Sequence, residues 1–149
     1  MNEQAINATM LAAVATLQQE EALILAFDVG ERTICTCLAA ILKRTFNDHS
    51  VHVEYNRHGV YPKEIELPGA DGAPTMARVF PDIIVHQPGH DDANLLVIEV
   101  KKTTNPVNDD LDLAKLNQIK QQIGYEFAVF LRLPTGPGAD PADLRIIWV

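Results

Sequence analysis

Val79–Lys102 reads VFPDIIVHQPGHDDANLLVIEVKK. Two apolar runs flank a segment rich in Gly, Pro, Asp and Asn, which is the pattern of two strands joined by a loop. The first run carries Pro81-Asp82 and the second ends in Glu99-Val100-Lys101. Two acids and a lysine therefore sit inside segments that otherwise read as buried. Charge in such a place is costly unless it is paired or binds an ion, so this trio is the first candidate for a functional site.

Leu95–Lys101 is the most apolar run of the chain, as expected of a strand at the centre of a sheet. Strand alternation puts Glu99 and Lys101 on one face with Leu95 and Val97, and Leu96, Ile98 and Val100 on the other. The preceding strand is expected over Val79–His86, with Pro81 at its edge or before full pairing. If the two form a hairpin, Asp82 comes near Glu99 and Lys101. The histidines and acids of the connecting loop, His86, His90, Asp91 and Asp92, could suggest a metal site, but no second ligand pair is spaced to match, and an exposed polar hairpin is the better reading.

Upstream, Ile6, Met10, Val14 and Leu17 recur at helical spacing within residues 2–20. Leu23–Phe27 fits either a helix or a strand. A second helix is expected over residues 29–46, with Asp28 as N-cap and Lys43 and Arg44 in the last turn. Its inner stripe is Ile34, Leu38, Ile41, Leu42 and Thr45, and Glu31 falls on that stripe. Glu31 is either the third residue of a capping box or a carboxylate aimed inward at a site, and local sequence favours the cap. Val51–Arg57 alternates as a strand, with Val51, Val53 and Tyr55 on one face and His52, Glu54 and Asn56 on the other. Residues 58–78 hold three glycines and three prolines. They leave room for a short strand at Lys63–Leu67 and a turn at Gly69–Gly72.

Downstream, Thr103–Asn108 reads as a loop, and Asn108 or Asp109 can cap a helix over residues 110–123. Leu116, Ile119 and Ile123 line its inner face, and Gly124 fits the position after its end. Lys115 and Lys120 on this helix are either phosphate contacts or its solvated side. Tyr125–Leu133 and Leu144–Val149 return as strands, around a Pro134–Pro141 loop. The order predicts helices packed around a mixed sheet, in one domain spanning residues 1–149.

Composition bounds the function. With 149 residues, 47% of them hydrophobic and 21% charged, the chain has the make-up of a globular domain. No run is long enough for a membrane span, and MNEQAINATM lacks a basic leader region. Cys35 and Cys37, two apart on a helix, point to nearly opposite sides and fit a reduced, cytoplasmic protein. A net charge of −8 runs against a nucleic-acid partner, which would need a local basic patch, a metal ion or weak contact. Two carboxylates with a backbone carbonyl such as that of Val100 suit a hard cation such as magnesium. Such an ion can polarise a phosphodiester and activate a water. Lys101 would then orient that water and stabilise charge on the phosphate, rather than act as a base beside two acids. The bland alternatives are that E-x-K is a chance tripeptide and that Asp82 and Lys101 form a structural ion pair.

The combination is more specific than its parts. Pro81-Asp82, then sixteen residues, then Glu99-Val100-Lys101, on apolar strands and after a helix with an inward acid, resembles the PD-(D/E)XK, or restriction-endonuclease-like, superfamily. The likeness covers roughly Gly30 to Leu133. The segments VEYNRHG, FPDIIVH and NLLVIEVKK further resemble a group of small, stand-alone, mostly uncharacterised bacterial members. The resemblance implies an αβββαβ core with a mixed central sheet flanked by helices, here with an extra N-terminal helix and C-terminal strand. It implies a Mg2+-dependent nuclease, with Mn2+ as a substitute, acting on nucleic acid and most simply on DNA. Asp82, Glu99 and the Val100 carbonyl would hold the metal, Lys101 would be the catalytic lysine, Glu31 an auxiliary acid and Lys115 a further site residue. The alternative function is a non-catalytic module that keeps the fold and binds protein or nucleic acid. A homodimer, or a protein partner that supplies substrate binding, is compatible with either.

Overall fold

The computed structural model describes residues 1–56, 58, 61–90 and 92–149. Its element order is α1 (Glu3–Glu20), α2 (Ala22–Ala26), α3 (Glu31–Thr45), β1 (Ser50–Val53), β2 (Glu64–Pro68), β3 (Pro74–Arg78), β4 (Ile83–His86), β5 (Leu96–Lys102), α4 (Asp110–Ile119), β6 (Phe127–Leu133) and β7 (Arg145–Trp148). Five strands form a mixed sheet in the order β1-β4-β5-β6-β7. β5 is central, antiparallel to β4 and parallel to β6. The parallel step needs a crossover, and α4 supplies it.

Helices flank both faces of the sheet. Ile6, Met10, Val14 and Leu17 of α1 and Ile34, Leu38, Ile41 and Leu42 of α3 pack on Leu96, Ile98 and Val100 of β5. The opposite face buries Val97, Ala128 and Phe130 under Leu116 and Ile119 of α4, with Ile65 of β2 alongside. Leu95 precedes β5 and packs with the α1–α3 side, not with Val97 as strict alternation expects. α1 starts where Asn2 Oδ1 accepts from the Ala5 N–H at 2.8 Å. α4 runs into a π-helical turn, Lys120–Gly124, which ends at Gly124 with φ +90, as a left-handed cap requires.

Several expectations are corrected. Asp28 does not cap α3. The helix starts at Glu31 after Gly30, and Asp28 adopts φ +55, with its carboxylate on the Thr104 hydroxyl at 2.9 Å and the Lys102 ammonium at 3.1 Å. Thr45 is exposed, not part of the inner stripe. β1 ends at Val53, because Glu54 turns to φ +54. That turn moves Tyr55 to the α4 side, where it stacks on His52 at 5.0 Å. The Arg57 end of the expected strand lies outside the described residues. Val79–Asp82 is not strand, since β4 starts at Ile83. The segment expected to hold one short strand holds two, and β2 and β3 pair as a separate hairpin. Leu23–Phe27 is settled as helix α2 through Ala26.

Candidate functional site

The site lies where β4 stops and β5 continues. Register pairs Ile83 with Ile98, so Asp82 sits one step beyond the last ladder pair, beside Glu99. With no strand there to pair Val100, its main-chain N–H donates instead to Asp82 Oδ2 at 2.8 Å. The N–H and C=O of a strand residue point to the same edge, so the Val100 carbonyl also faces this gap.

Glu99 is 6% exposed, and its Oε1 has no hydrogen-bond partner among the described residues. Burial pushes its carboxyl well above the usual carboxylate range. The Asp82 charge pushes the same way, and Lys115 opposes it. Asp82 is also raised, first by burial. The Val100 N–H and a bond from Glu99 hold it down, and Lys115 does so too. The two acids act on each other: Asp82 raises Glu99, while Glu99 lowers Asp82.

Glu31 approaches from the other side. It opens α3 and, with Cys35, Val53, Glu54 and Asp82, lines a cleft of about 160 Å³. Its Oε1 accepts from Asn105 Nδ2 at 3.2 Å, and its charge raises Asp82. The capping-box reading of Glu31 therefore falls, because the helix begins at Glu31 itself and the carboxylate reaches the 103–108 loop. Burial, with Asp82, Glu99 and Glu31 adding to it, pushes the Cys35 thiol up, so Cys35 is an inert wall of the cleft.

Lys101 is buried and shares the Glu99 face, as alternation expects, but it does not pair with Asp82. Its ammonium donates to the carboxylate of Asp112 in the first turn of α4 and to the Asn108 carbonyl at 3.2 Å. Asp112 was not singled out by sequence. Its only local signal is its place three residues before Lys115, on the same side of the helix. Lys120 donates to the Val149 carbonyl at 2.7 Å and is neither a solvated nor a phosphate-facing lysine.

The 103–108 loop is stapled by Arg132 of β6. Its guanidinium donates to the carbonyls of Lys102 and Asn105 at 2.7 Å each, to that of Val107 at 2.5 Å and to Asp109 at 2.9 and 3.0 Å. Asp109 also takes Arg145 at 2.9 Å. Asp109 is thus spent on arginines, and the cap-like bond at α4 comes from Asn108, whose Oδ1 accepts from the Asp110 N–H at 3.1 Å.

Away from the site, His86 is buried and its Nε2 lies 2.8 Å from Nδ1 of His52. It is not part of an exposed metal loop, and Asp91 lies outside the described residues. Among the described residues no three His, Cys, Asp or Glu side chains are placed to hold a metal ion, and no helix is long and apolar enough to cross a membrane. Two carboxylates still fit magnesium, which takes few protein oxygens and keeps several waters. The Oε1 of Glu99 is the buried acceptor that the described residues leave unsatisfied. No family model matches the chain, and neither does any of the curated proteins or solved structures compared with it.

Proposed function

We propose that this chain is a metal-dependent phosphodiesterase of the restriction-endonuclease-like class, acting on nucleic acid and most simply on DNA. The observation that carries the proposal is the buried Asp82–Glu99 pair, with Glu99 Oε1 unpartnered at the open end of β4. The order α3-β1-β4-β5-α4-β6 supports it, with the β2–β3 hairpin read as an insertion between the first two strands of an αβββαβ core. Asp82, Glu99 and the Val100 carbonyl would hold Mg2+ or Mn2+, with Glu31 across the cleft as auxiliary acid. Bound there, the cation would neutralise phosphate charge and lower the pKa of a water. The chain's own part is to present two oxygens fixed by the strand end, to keep the pair dry under α3 and α4, and to oppose the charge that builds on the phosphate with a lysine. The motif assigns that lysine to Lys101.

Cleavage of plasmid and single-stranded DNA with Mg2+ or Mn2+ tests this. Loss of about 100-fold or more in Asp82→Ala and in Glu99→Ala is expected, and activity that survives both substitutions refutes the site. One observation favours the alternative, a binding module without catalysis: the charge of Lys101 is already met by Asp112. The acidic balance of the chain points the same way and suits a protein partner that supplies the basic surface.

A further inference from the structure

Arg32 follows Glu31 in the first turn of α3 and helps to line the cleft of about 160 Å³ at the site. Among the described residues of that lining, it is the one that carries positive charge. A chain of contacts ties it to the acid pair. The Glu54 main-chain N–H donates to the Asp82 carbonyl at 3.2 Å. The Glu54 carboxylate, in turn, accepts from the Arg32 guanidinium at 3.3 Å. Glu54 stands there because its backbone turns to φ +54, a conformation that a non-glycine residue adopts at a cost. Among the described residues a single hydrogen bond joins Arg32 to Glu54. The pair is open to water, with side chains 78% and 43% exposed.

We propose that Arg32 binds a phosphate of a nucleic-acid strand at the mouth of the acid site, and that Glu54 holds the guanidinium in place until the phosphate displaces it. The proposal rests on the nuclease reading and names the group by which an acidic chain takes hold of its substrate. Three physical points carry it. First, a guanidinium offers five N–H donors in a fixed fork, of which Glu54 takes one, and a phosphate can take two in parallel. Second, an exposed pair joined by one bond adds little to stability, so exchanging Glu54 for a phosphate costs the fold little. A phosphate competing for Lys101 would instead displace Asp112 and the Asn108 carbonyl, and would leave a partly buried carboxylate without its cation. Third, the cleft is well below the roughly 300–1,000 Å³ of a site that encloses a drug-sized ligand. It therefore admits one group of the strand, not a whole nucleotide. Arg32 is then the group that touches substrate, and Glu54 is a positioning residue that competes with it.

A double-mutant cycle on binding tests the exchange. The probe is a short fluorescein-labelled single-stranded DNA, followed by anisotropy over a range of salt in Ca2+, so that binding is read apart from turnover. Arg32→Gln should weaken binding by about tenfold and reduce the slope of log K against log salt by about 0.7. Arg32→Lys should keep the slope and recover part of the affinity, because it keeps the charge and loses the fork. Glu54→Gln frees the guanidinium and should tighten binding several-fold. In the Arg32→Gln background the same Glu54→Gln change should do nothing. All of these side chains are exposed, so every variant should melt close to the wild type. Wild-type binding by Arg32→Gln overturns the proposal. So does weaker binding by Glu54→Gln, which would make Glu54 a ligand in its own right. Equal tightening by Glu54→Gln in both backgrounds also overturns it, since that would be a general effect of charge. The nuclease reading is judged separately, by cleavage. If Asp82→Ala abolishes cleavage while Arg32→Gln binds as the wild type does, only the role of Arg32 fails. If the wild type neither binds nor cleaves, or if Asp82→Ala still cleaves, the nuclease reading fails and the role of Arg32 goes with it.

Discussion

The main-chain N–H of Val100 donates to the side chain of Asp82 at 2.8 Å, so a carboxylate finishes the ladder that β4 leaves open. One oxygen of Asp82 is thereby fixed by backbone, one ladder step beyond the Ile83–Ile98 pair and beside Glu99. If a divalent ion is held between them, it stabilises the folded protein by mass action, about 2.7 kcal/mol at a hundredfold excess over Kd. The expected result is a melting temperature that rises with Mg2+ or Mn2+ in the wild type and stays flat in Asp82→Ala. Equal shifts in both would place the metal elsewhere.

Glu99 sets a pH dependence of known sign. Its folded pKa is raised, chiefly by burial, so between its unfolded and folded values the native state binds more protons than the unfolded one. Metal-free stability therefore falls as pH rises through that window, starting near pH 4–5. Glu99→Gln keeps the shape, removes the charge and should flatten this part of the profile. At pH 7.5 it should melt above the wild type, by about 2–4 °C for each kcal/mol relieved. A lower melting temperature for Glu99→Gln would show that the ionised acid is already compensated.

His86 has the opposite sign. Burial, with the His52 and Lys63 charges next, pulls its imidazole down to about 4, and burial lowers His52 too. The unfolded chain thus takes up protons that the folded one refuses, so stability is lost as pH falls from about 6.5 towards 4. Imidazole proton shifts followed by NMR should show His86 titrating near 4. A His86 midpoint above 6 would mean that the contact with His52 does not hold in solution.

Arg132 gathers the 103–108 loop and Asp109 at once. Arg132→Met leaves Asp109 with Arg145 alone and takes a donor from the Asn105 and Val107 carbonyls, while the Lys102 carbonyl keeps the Asn105 N–H, so unfolding in urea should show a loss of about 3 kcal/mol. Arg145→Met removes the more exposed partner and should cost less than about 1 kcal/mol. Equal losses would show that Asp109, not the loop carbonyls, is what Arg132 serves.

The parts of the fold visible in sequence are those buried on both sides or along a clear stripe. β5 and β6 are largely apolar runs because they lie inside the sheet, and α1 shows four of its five core residues, Ile6, Met10, Val14 and Leu17, at helical spacing. Position 28 was misread because aspartate favours both an N-cap and the left-handed region, and only Lys102 and Thr104, far along the chain, select the second. Glu54 was opaque for a similar reason. Its φ of +54 breaks the alternation that would have kept Tyr55 with Val53. β3 has four exposed residues of five, so it carries no burial pattern to read. At the site, the E-x-K spacing does put Glu99 and Lys101 on one face, but spacing says nothing about the side chain that meets the ammonium. Asp112 arrives by a tertiary contact between α4 and β5, which local pattern does not encode.

The position of β5 between a hairpin neighbour and a crossover neighbour also sets an order of events in folding. β4 and β5 are joined by one short loop, closed by the Leu95 N–H on the Val85 carbonyl at 3.0 Å. β6 can join only after α4 and its turn have been laid down. Closing the shorter loop costs less chain entropy, so the two acids meet before Lys115 of α4 can offset their charge. The early hairpin then carries the electrostatic penalty alone. Refolding of the wild type should be fastest where one of the acids is protonated, while the unfolding limb stays nearly flat with pH. In Glu99→Gln the refolding limb should lose that dependence.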